Sequence, residues 1–350
     1  MGVNGRKLLN VRSPGQAFWH DDEEREKSLL LLQVARRYYD QGMGQAEIAK
    51  ALGYSRATIS RLLSEARRTG VVTISITHPL ERLAQLEQLI ANRYGARNVR
   101  VIPDAGPGTG MQSVGFALAR FLARVAEPGM SIGMTTGRVH QVAAEHLGRQ
   151  PSVNIKVLQM VGRSGGGHGR VLDTANLCKE VAEAFGGVAL TFDAPLLAAS
   201  PRQAADLRAS PRVERVLRQA GKVDLAVIGI GASFRHPADV FSDKLTSDVV
   251  RNLHRHGAIG HVVGRFIDSR GRAVSSALDD LVVGISLAEL RRVPLVLGVA
   301  AGSQKARAIA AALRGGLVNS LLLDVDAAQA LAYLPEKEPA SSEPLWAIED

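Results

Sequence analysis

The chain has 350 residues, 46% of them hydrophobic and 22% charged, which suggests about two domains and argues against global disorder. Its single cysteine, Cys178, excludes an internal disulfide and a metal site built from thiolates. The net charge of +9 favours a polyanionic partner without naming one. Aromatics make up only 4% of the chain, so the core must come from Ala, Val, Leu and Ile, a mix that suits buried parallel strands.

Residues 1–25 mix Gly, Arg, Asn and Pro with an acidic knot from Asp21 to Glu24, and a flexible arm is expected there. No long apolar run follows the basic N-terminal residues, and no apolar stretch reaches the roughly 20 residues needed to span a bilayer. A cytoplasmic chain with no membrane partner is therefore expected. Ser28 to Gln41 has the spacing of a helix, with Leu31, Val34, Ala35 and Tyr38 inward.

Gln45 to Gly70 reads as two short helices joined by a tight turn. Ile48, Ala49 and Leu52 form the inner face of the first, and Gly53 ends it by taking a left-handed cap. Ser55 is a good N-cap for the second, where Ile59, Leu62, Leu63 and Ala66 face inward. Short polar side chains and arginines at the start of that second helix suit the major groove of double-stranded DNA. The candidate DNA contacts are Gln45, Ser55, Arg56, Ala57, Thr58, Ser60, Arg61, Arg67 and Arg68. Ser28 to His78 carries seven Lys or Arg against three acids, so positive charge accumulates where DNA contact is expected. The alternative is a small helical bundle that touches no DNA. Val71 to Thr77 alternates in period two and predicts a short strand, a wing beside the second helix.

Pro79 opens a helix to Tyr94, either packing on the next domain or contributing to self-association. From Ala96 onward strands and helices alternate, which predicts a parallel, doubly wound sheet. Strands are expected at 98–102, 130–134, 155–160, 188–191, 225–230, 258–263, 281–285, 293–299 and 321–323. Helices are expected at 111–126, 139–147, 172–184, 210–220, 242–254, 286–291, 303–314 and 327–333. Cys178 falls in the third of these as a buried, inert thiol. The predicted organisation is an arm at 1–25, a winged helix-turn-helix at 26–78, a linker helix at 79–95, a large α/β domain at 96–335 and a flexible tail at 336–350.

Several Gly-rich turns could hold an anion. After the strand ending at Met134, backbone N–H groups, the Thr135 and Thr136 hydroxyls and Arg138 converge on a helix start. Gly162 to Arg170, Gly229 to Arg235 and Ala301 to Lys305 are further examples, the last bringing an ammonium to a helix N-terminus. None is a Walker A or a dinucleotide-binding fingerprint, and each alone is also an ordinary strand-to-helix turn. No H-E-x-x-H, G-x-S-x-G or telling acid pair occurs among the Asp and His residues of this region. No cofactor and no catalytic residue is assigned.

The tract QAEIAKALGYSRATISRLLSEARRTGVVTISI resembles the helix-turn-helix of SorC-type (sugar-binding) bacterial transcriptional regulators, without gaps from about Val34 to Ile76. Short islands to about Leu331 extend the resemblance: Thr135 to Arg138, Gly165 to Gly167, DLAVIGIG from Asp224, GAIGHVVGRFID from Gly257, and Gly302 to Lys305. It implies an N-terminal winged helix-turn-helix followed by a Rossmann-like domain of the sugar-phosphate isomerase/deaminase type. It also implies a phosphorylated sugar or polyol effector and a homo-oligomer, dimer or tetramer, bound to operator DNA. On the effector side it places Gly133, Thr135, Thr136, Gly137, Arg138, Gly166, Gly167, Asp268 and Lys305. The loop GMTTGR departs from many relatives, which have an aromatic and a small residue before the Gly. Leu321-Leu-Leu-Asp324 lacks the Thr often found before that Asp. The alternatives from other classes are an isomerase-like enzyme with an appended DNA-binding domain and a DNA-cutting recombinase.

Overall fold

The computed structural model describes residues 14–72, 79–104, 106, 108–164, 173–232, 241, 246–274 and 277–335. Two compact units emerge, Met1–His78 and Pro79–Asp350.

The first unit contains α1 (Pro14–Tyr39), α2 (Gln45–Leu52) and α3 (Arg56–Arg68). Helix α1 starts at Pro14, well before the expected Ser28, so residues 14–25 are helical where an arm was expected. Proline is tolerated in a first helical turn, and no Gly or Pro interrupts 16–39. Val34, Ile48, Ala49, Ile59 and Leu63 form one buried cluster; Leu31, Ala35 and Ala66 form another. Val71 and Val72 pack on the second cluster, and the Val72 N–H donates to the Ala66 carbonyl at 2.9 Å. The rest of the expected wing, residues 73–77, lies outside the described residues, as do 78, 1–13 and 336–350.

In the second unit the strands are β1 (Asn98–Ile102), β2 (Ser131–Met134), β3 (Lys156–Gln159), β4 (Val188–Leu190) and β5 (Leu225–Gly229). They continue as β6 (Gly231–Ala232), β7 (Gly260–Val262), β8 (Arg265–Ile267), β9 (Leu295–Ala300) and β10 (Ser320–Asp324). Seven of them make one sheet in the order β1-β10-β9-β5-β2-β3-β4, parallel throughout. The helices are α4 (Pro79–Tyr94), α5 (Gly110–Val125), α6 (Arg138–Leu147), α7 (Thr174–Ala184), α8 (Pro201–Ala209) and α9 (Pro211–Ala220), then α10 (Ser247–Arg255), α11 (Leu287–Leu290), α12 (Ala306–Arg314) and α13 (Val325–Ala332).

Alternate residues of each central strand feed two separate cores. Leu225 and Val227 of β5 join Ile132, Met134 and Leu322 in a cluster with α5, α6 and α7. Ala226 and Ile228 join Leu321 and Leu323 in a cluster with α4, α9, α12 and α13. Burial on both faces explains why these strands read as continuous apolar runs. Cys178 is fully buried on α7, and burial pushes its thiol pKa up.

Helix α4 packs within the second unit. Ile90 and Leu86 are buried there, the Tyr94 hydroxyl donates to the Leu331 carbonyl at 3.1 Å, and Arg93 donates to the Ala332 and Leu334 carbonyls.

Residues 281–285 form no strand. A 3-10 turn at Asp279–Leu281 is followed by isolated bridges, Leu197 to Val282 and Val161 to Gly284, so cross-chain packing rather than a ladder buries this apolar run. Helix α8 and the antiparallel sheet β6-β7-β8 were not expected from the sequence. Strands β7 and β8 turn through Val263 (φ 46) and Gly264 (φ 78), the two left-handed residues of a tight hairpin.

Strands β2 and β5 are tied at their starts. The Ser131 N–H and hydroxyl donate to Asp224 Oδ2 at 2.8 and 2.6 Å, which holds the Asp224 carboxyl below its usual range. A depressed carboxyl contributes stability above its unfolded pKa of about 4 and loses it as pH falls through the folded value. Asp224→Asn should therefore destabilise the fold at pH 7, with the difference from wild type shrinking toward pH 3; denaturant melts across that range check it.

Candidate functional site

The helix-turn-helix is built from local caps. Gly53, at φ 72 and ψ 23, ends α2 in the left-handed conformation. Ser55 Oγ accepts the Thr58 N–H at 3.0 Å and lies 2.8 Å from the Thr58 hydroxyl, so both side chains set the start of α3. Arg56 stands exposed at that start. Ala57, Ser60, Arg61, Ser64 and Arg67 are exposed at spacings of three and four, one continuous polar face. Arg68 pairs with Glu65 at 3.4 Å, and Lys27 of α1 reaches the same carboxylate at 2.7 Å. The Lys27 hydrogen bond holds the Glu65 carboxyl below its usual range. Arg68 thus helps fix α3, and Lys27 was not anticipated. Gln45 is half-buried at the start of α2.

The second site follows from the winding of the sheet. From β2 the chain winds to β3 and β4; from β5 it winds the other way, to β9 and β10. Such a reversal leaves a crevice at the carboxyl ends of β2 and β5, the usual place for a ligand in this kind of sheet. Thr135 follows β2 directly and is 5% exposed; its N–H donates to the Val227 carbonyl at 3.2 Å, and its Oγ1 accepts the Gly229 N–H at 3.0 Å. Thr135 therefore clamps β2 to β5. Thr136 Oγ1 is buried and has no hydrogen-bond partner. Gly137 precedes α6 with no side-chain cap, which leaves the first N–H groups of that ten-residue helix uncapped by any side chain. Arg138, exposed, is its first residue.

Lys305 arrives from the end of β9. Gly302, at φ 98, donates its N–H to Asp324 Oδ1 and Oδ2 at 3.0 and 2.9 Å, and Oδ1 also accepts the Ala327 N–H at 3.0 Å. The buried Asp324 carboxylate thereby fixes the 3-10 turn Ser303–Lys305 on which the lysine sits. Burial lowers the Lys305 pKa, the Asp324 charge opposes this, and the Arg138 charge adds to it. Lys305 and Arg138 are thus close enough to repel, an arrangement that an anion between them would relieve.

Two histidines join them. His140, on α6, is 1% exposed; its Nε2 faces the Val227 carbonyl at 3.3 Å. His261, on β7, is 9% exposed and rests against Phe241 and Phe266, with ring centroids 4.8 and 5.7 Å away. Burial, with the Lys305 charge adding to it, pushes both imidazoles down to about 4. Among the described residues, no group of three His, Cys, Asp or Glu could hold a metal ion.

Not every expected residue reaches this crevice. Gly133 lies inside β2, where a Cβ would stand 2.7 Å from Met160 Sδ, so its smallness serves packing beneath the loop. The Asp268 carboxylate accepts the Arg270 and Arg272 N–H groups at 2.9 Å each and pairs with the Arg272 guanidinium at 3.4 Å, which commits it to its own turn. Gly166 and Gly167 lie outside the described residues.

A family of sugar-binding domains matches residues 78–332, and a helix-turn-helix family matches residues 22–66. The transcriptional regulator LsrR of Enterobacter sp. (strain 638) is 31% identical over 308 residues, 87% of this chain and 93% of its own. The chain belongs to the SorC-type family of sugar-binding transcriptional regulators. The deoxyribonucleoside regulator of Bacillus subtilis is 29% identical over 314 residues, 88% of this chain and 98% of its own. The crystal structure of the full-length sorbitol operon regulator SorC from Klebsiella pneumoniae superposes with a TM-score of 0.67 at 26% identity, covering 88% of this chain and 99% of that one. This SorC-type protein is accordingly a DNA-binding transcriptional regulator with a sugar-binding effector domain. Among its described residues, no helix is long and apolar enough to cross a membrane.

Arg61 stands at the middle of the exposed face of α3, with no expected role in the domain's packing. Arg61→Ala should weaken binding to a DNA site selected from random sequence by about 1–3 kcal/mol, with the melting temperature unchanged. Fluorescence anisotropy against that site checks this, and retained affinity would remove Arg61 from the readers.

Proposed function

We propose that this regulator senses a phosphorylated sugar or polyol, with the phosphate between the Thr135–Arg138 loop and Lys305 at the crevice of β2, β5 and β9. The observation that carries the reading is the meeting there of two cations with an uncapped helix N-terminus and an unpartnered buried hydroxyl on Thr136. A dianion supplies acceptors for the helix N–H groups and the Thr136 hydroxyl, and its charge relieves the mutual repulsion of Arg138 and Lys305. Thr135 is already bonded to Gly229, so its part is to hold the loop rather than the ligand.

Coupling to DNA follows from differential binding. An effector changes DNA affinity only if it binds one arrangement of the protein more tightly than another. One recognition helix reads few base pairs, so a homodimer or homotetramer presenting paired helices is the functional form. Relatives named for sorbitol and for deoxyribonucleosides fit a role in carbohydrate or polyol metabolism. On this reading the crevice binds and releases its ligand unchanged, with Lys305 and Arg138 acting together as a charge clamp.

Lys305→Ala should abolish the effect of sugar phosphates on DNA binding while affinity for DNA without ligand stays within about twofold, close to measurement error on the scale of a tenfold change per 1.4 kcal/mol. Electrophoretic mobility shifts with and without a sugar-phosphate panel test this. A preserved response in the variant would place the phosphate elsewhere.

A further inference from the structure

Two buried ring nitrogens in the crevice have no partner: His140 Nδ1 and His261 Nε2. A buried polar atom left unpaired is costly, so folded proteins keep few of them, and those kept at a ligand crevice call for a ligand atom. Both rings sit where glycines make room at the end of β5. A Cβ on Gly229 would lie 3.5 Å from His140 Cε1, one on Gly137 would lie 3.3 Å from His140 Nδ1, and one on Gly231 would overlap the His261 ring at 1.9 Å from Nε2. Both also lie in the field of Lys305, which ties them to the phosphate end of the same crevice.

The chemistry of each nitrogen is constrained. His140 Nε2 faces a carbonyl, which can only accept, so Nε2 carries the proton and Nδ1 presents a bare lone pair. An unpartnered lone pair in a buried place suits a neutral hydroxyl donor, and disfavours a carboxylate or a second phosphate, which have only acceptors to offer. His261 Nε2 can accept or donate according to its tautomer, and a hydroxyl satisfies either.

We propose that His140 and His261 read hydroxyl groups of the effector, so that the ligand body beyond the phosphate is a neutral polyhydroxyl chain or ring rather than a sugar acid. This rests on the reading of the crevice as a phosphate site. Burial keeps both rings neutral across the physiological range, so the acceptors persist and no fixed positive charge competes with the Lys305 and Arg138 clamp.

The test compares calorimetric affinities of the full-length protein for inorganic phosphate, glycerol 3-phosphate, xylulose 5-phosphate, fructose 6-phosphate and 6-phosphogluconate. Wild type should prefer a hydroxylated neutral ester over both inorganic phosphate and the phosphogluconate. In His261→Phe and His140→Phe the preference of the tightest ester over inorganic phosphate should fall about tenfold, with affinity for inorganic phosphate unchanged. His261→Gln and His140→Gln, which keep an acceptor, should recover most of it. If His140→Phe does not fold, His261→Phe decides alone, because its ring would join the aromatic cluster of Phe241 and Phe266. An unchanged preference in the Phe variants, Gln variants as impaired as Phe, or a wild type with no preference for any ester would each overturn the assignment. Lys305→Ala separates the two readings. Loss of inorganic phosphate and esters alike supports the phosphate site. Unaltered binding of all of them in Lys305→Ala, with the Phe variants still losing ester preference, would sink the phosphate reading and leave the hydroxyl readers standing.

Discussion

Strands β2 and β5 lie side by side at the centre of the sheet, yet the chain winds away from them in opposite directions. That reversal opens a crevice at their carboxyl ends, and nearly every polar group of interest in the second unit is arranged around it. The pair is tied at both ends: Asp224 holds Ser131 at the entry, and Thr135 takes the Val227 carbonyl and the Gly229 N–H at the exit. The spacing of the crevice is therefore fixed by hydrogen bonds that the ligand does not have to make.

Around this frame each polar group is supported by a different element. Asp324, from β10, holds the Gly302 N–H with both carboxylate oxygens, which shapes the turn that delivers Lys305, and caps α13 through the Ala327 N–H. Helix α6 brings an uncapped N-terminus, Arg138 and His140 together. The small antiparallel sheet sets His261 opposite Gly231, in register with it. A ligand contacting several of these at once touches β2, β5, β9 and the small sheet together, which is the physical basis for a sensor whose arrangement depends on occupancy.

Local signals were legible in the sequence and tertiary ones were not. The turn between α2 and α3 could be read because Gly53 and Ser55 act on their own neighbours, through a left-handed cap and an N-cap. The parallel strands could be read because burial on both faces makes each an apolar run. The run 281–285 looked the same and is no strand, since its apolar residues are buried by bridges from distant segments. Helix α1 extends to Pro14 because Pro14 and Gly15 fall in its first turn and no Gly or Pro follows before Tyr39. Thr135, Thr136, Gly137, Arg138 and Lys305 were legible as strand-end chemistry. His140 was not, because its significance lies in a lone pair left unpaired by packing against β5. His261 stood in the sequence as one histidine among several, and only the register with Gly231 separates it from the rest. Asp268 shows the opposite failure: a carboxylate in a promising motif that its own turn consumes.

The central claim is that occupancy of the β2–β5 crevice and DNA binding are coupled. Linkage makes the coupling reciprocal: the factor by which an effector changes DNA affinity must equal the factor by which DNA changes effector affinity. The direct measurement is a pair of titrations on the full-length protein, DNA with and without the tightest-binding phosphate ester, and that ester with and without DNA. The account predicts one common factor, on the order of 5–150-fold. An ester that binds the crevice and leaves DNA affinity unchanged would contradict it.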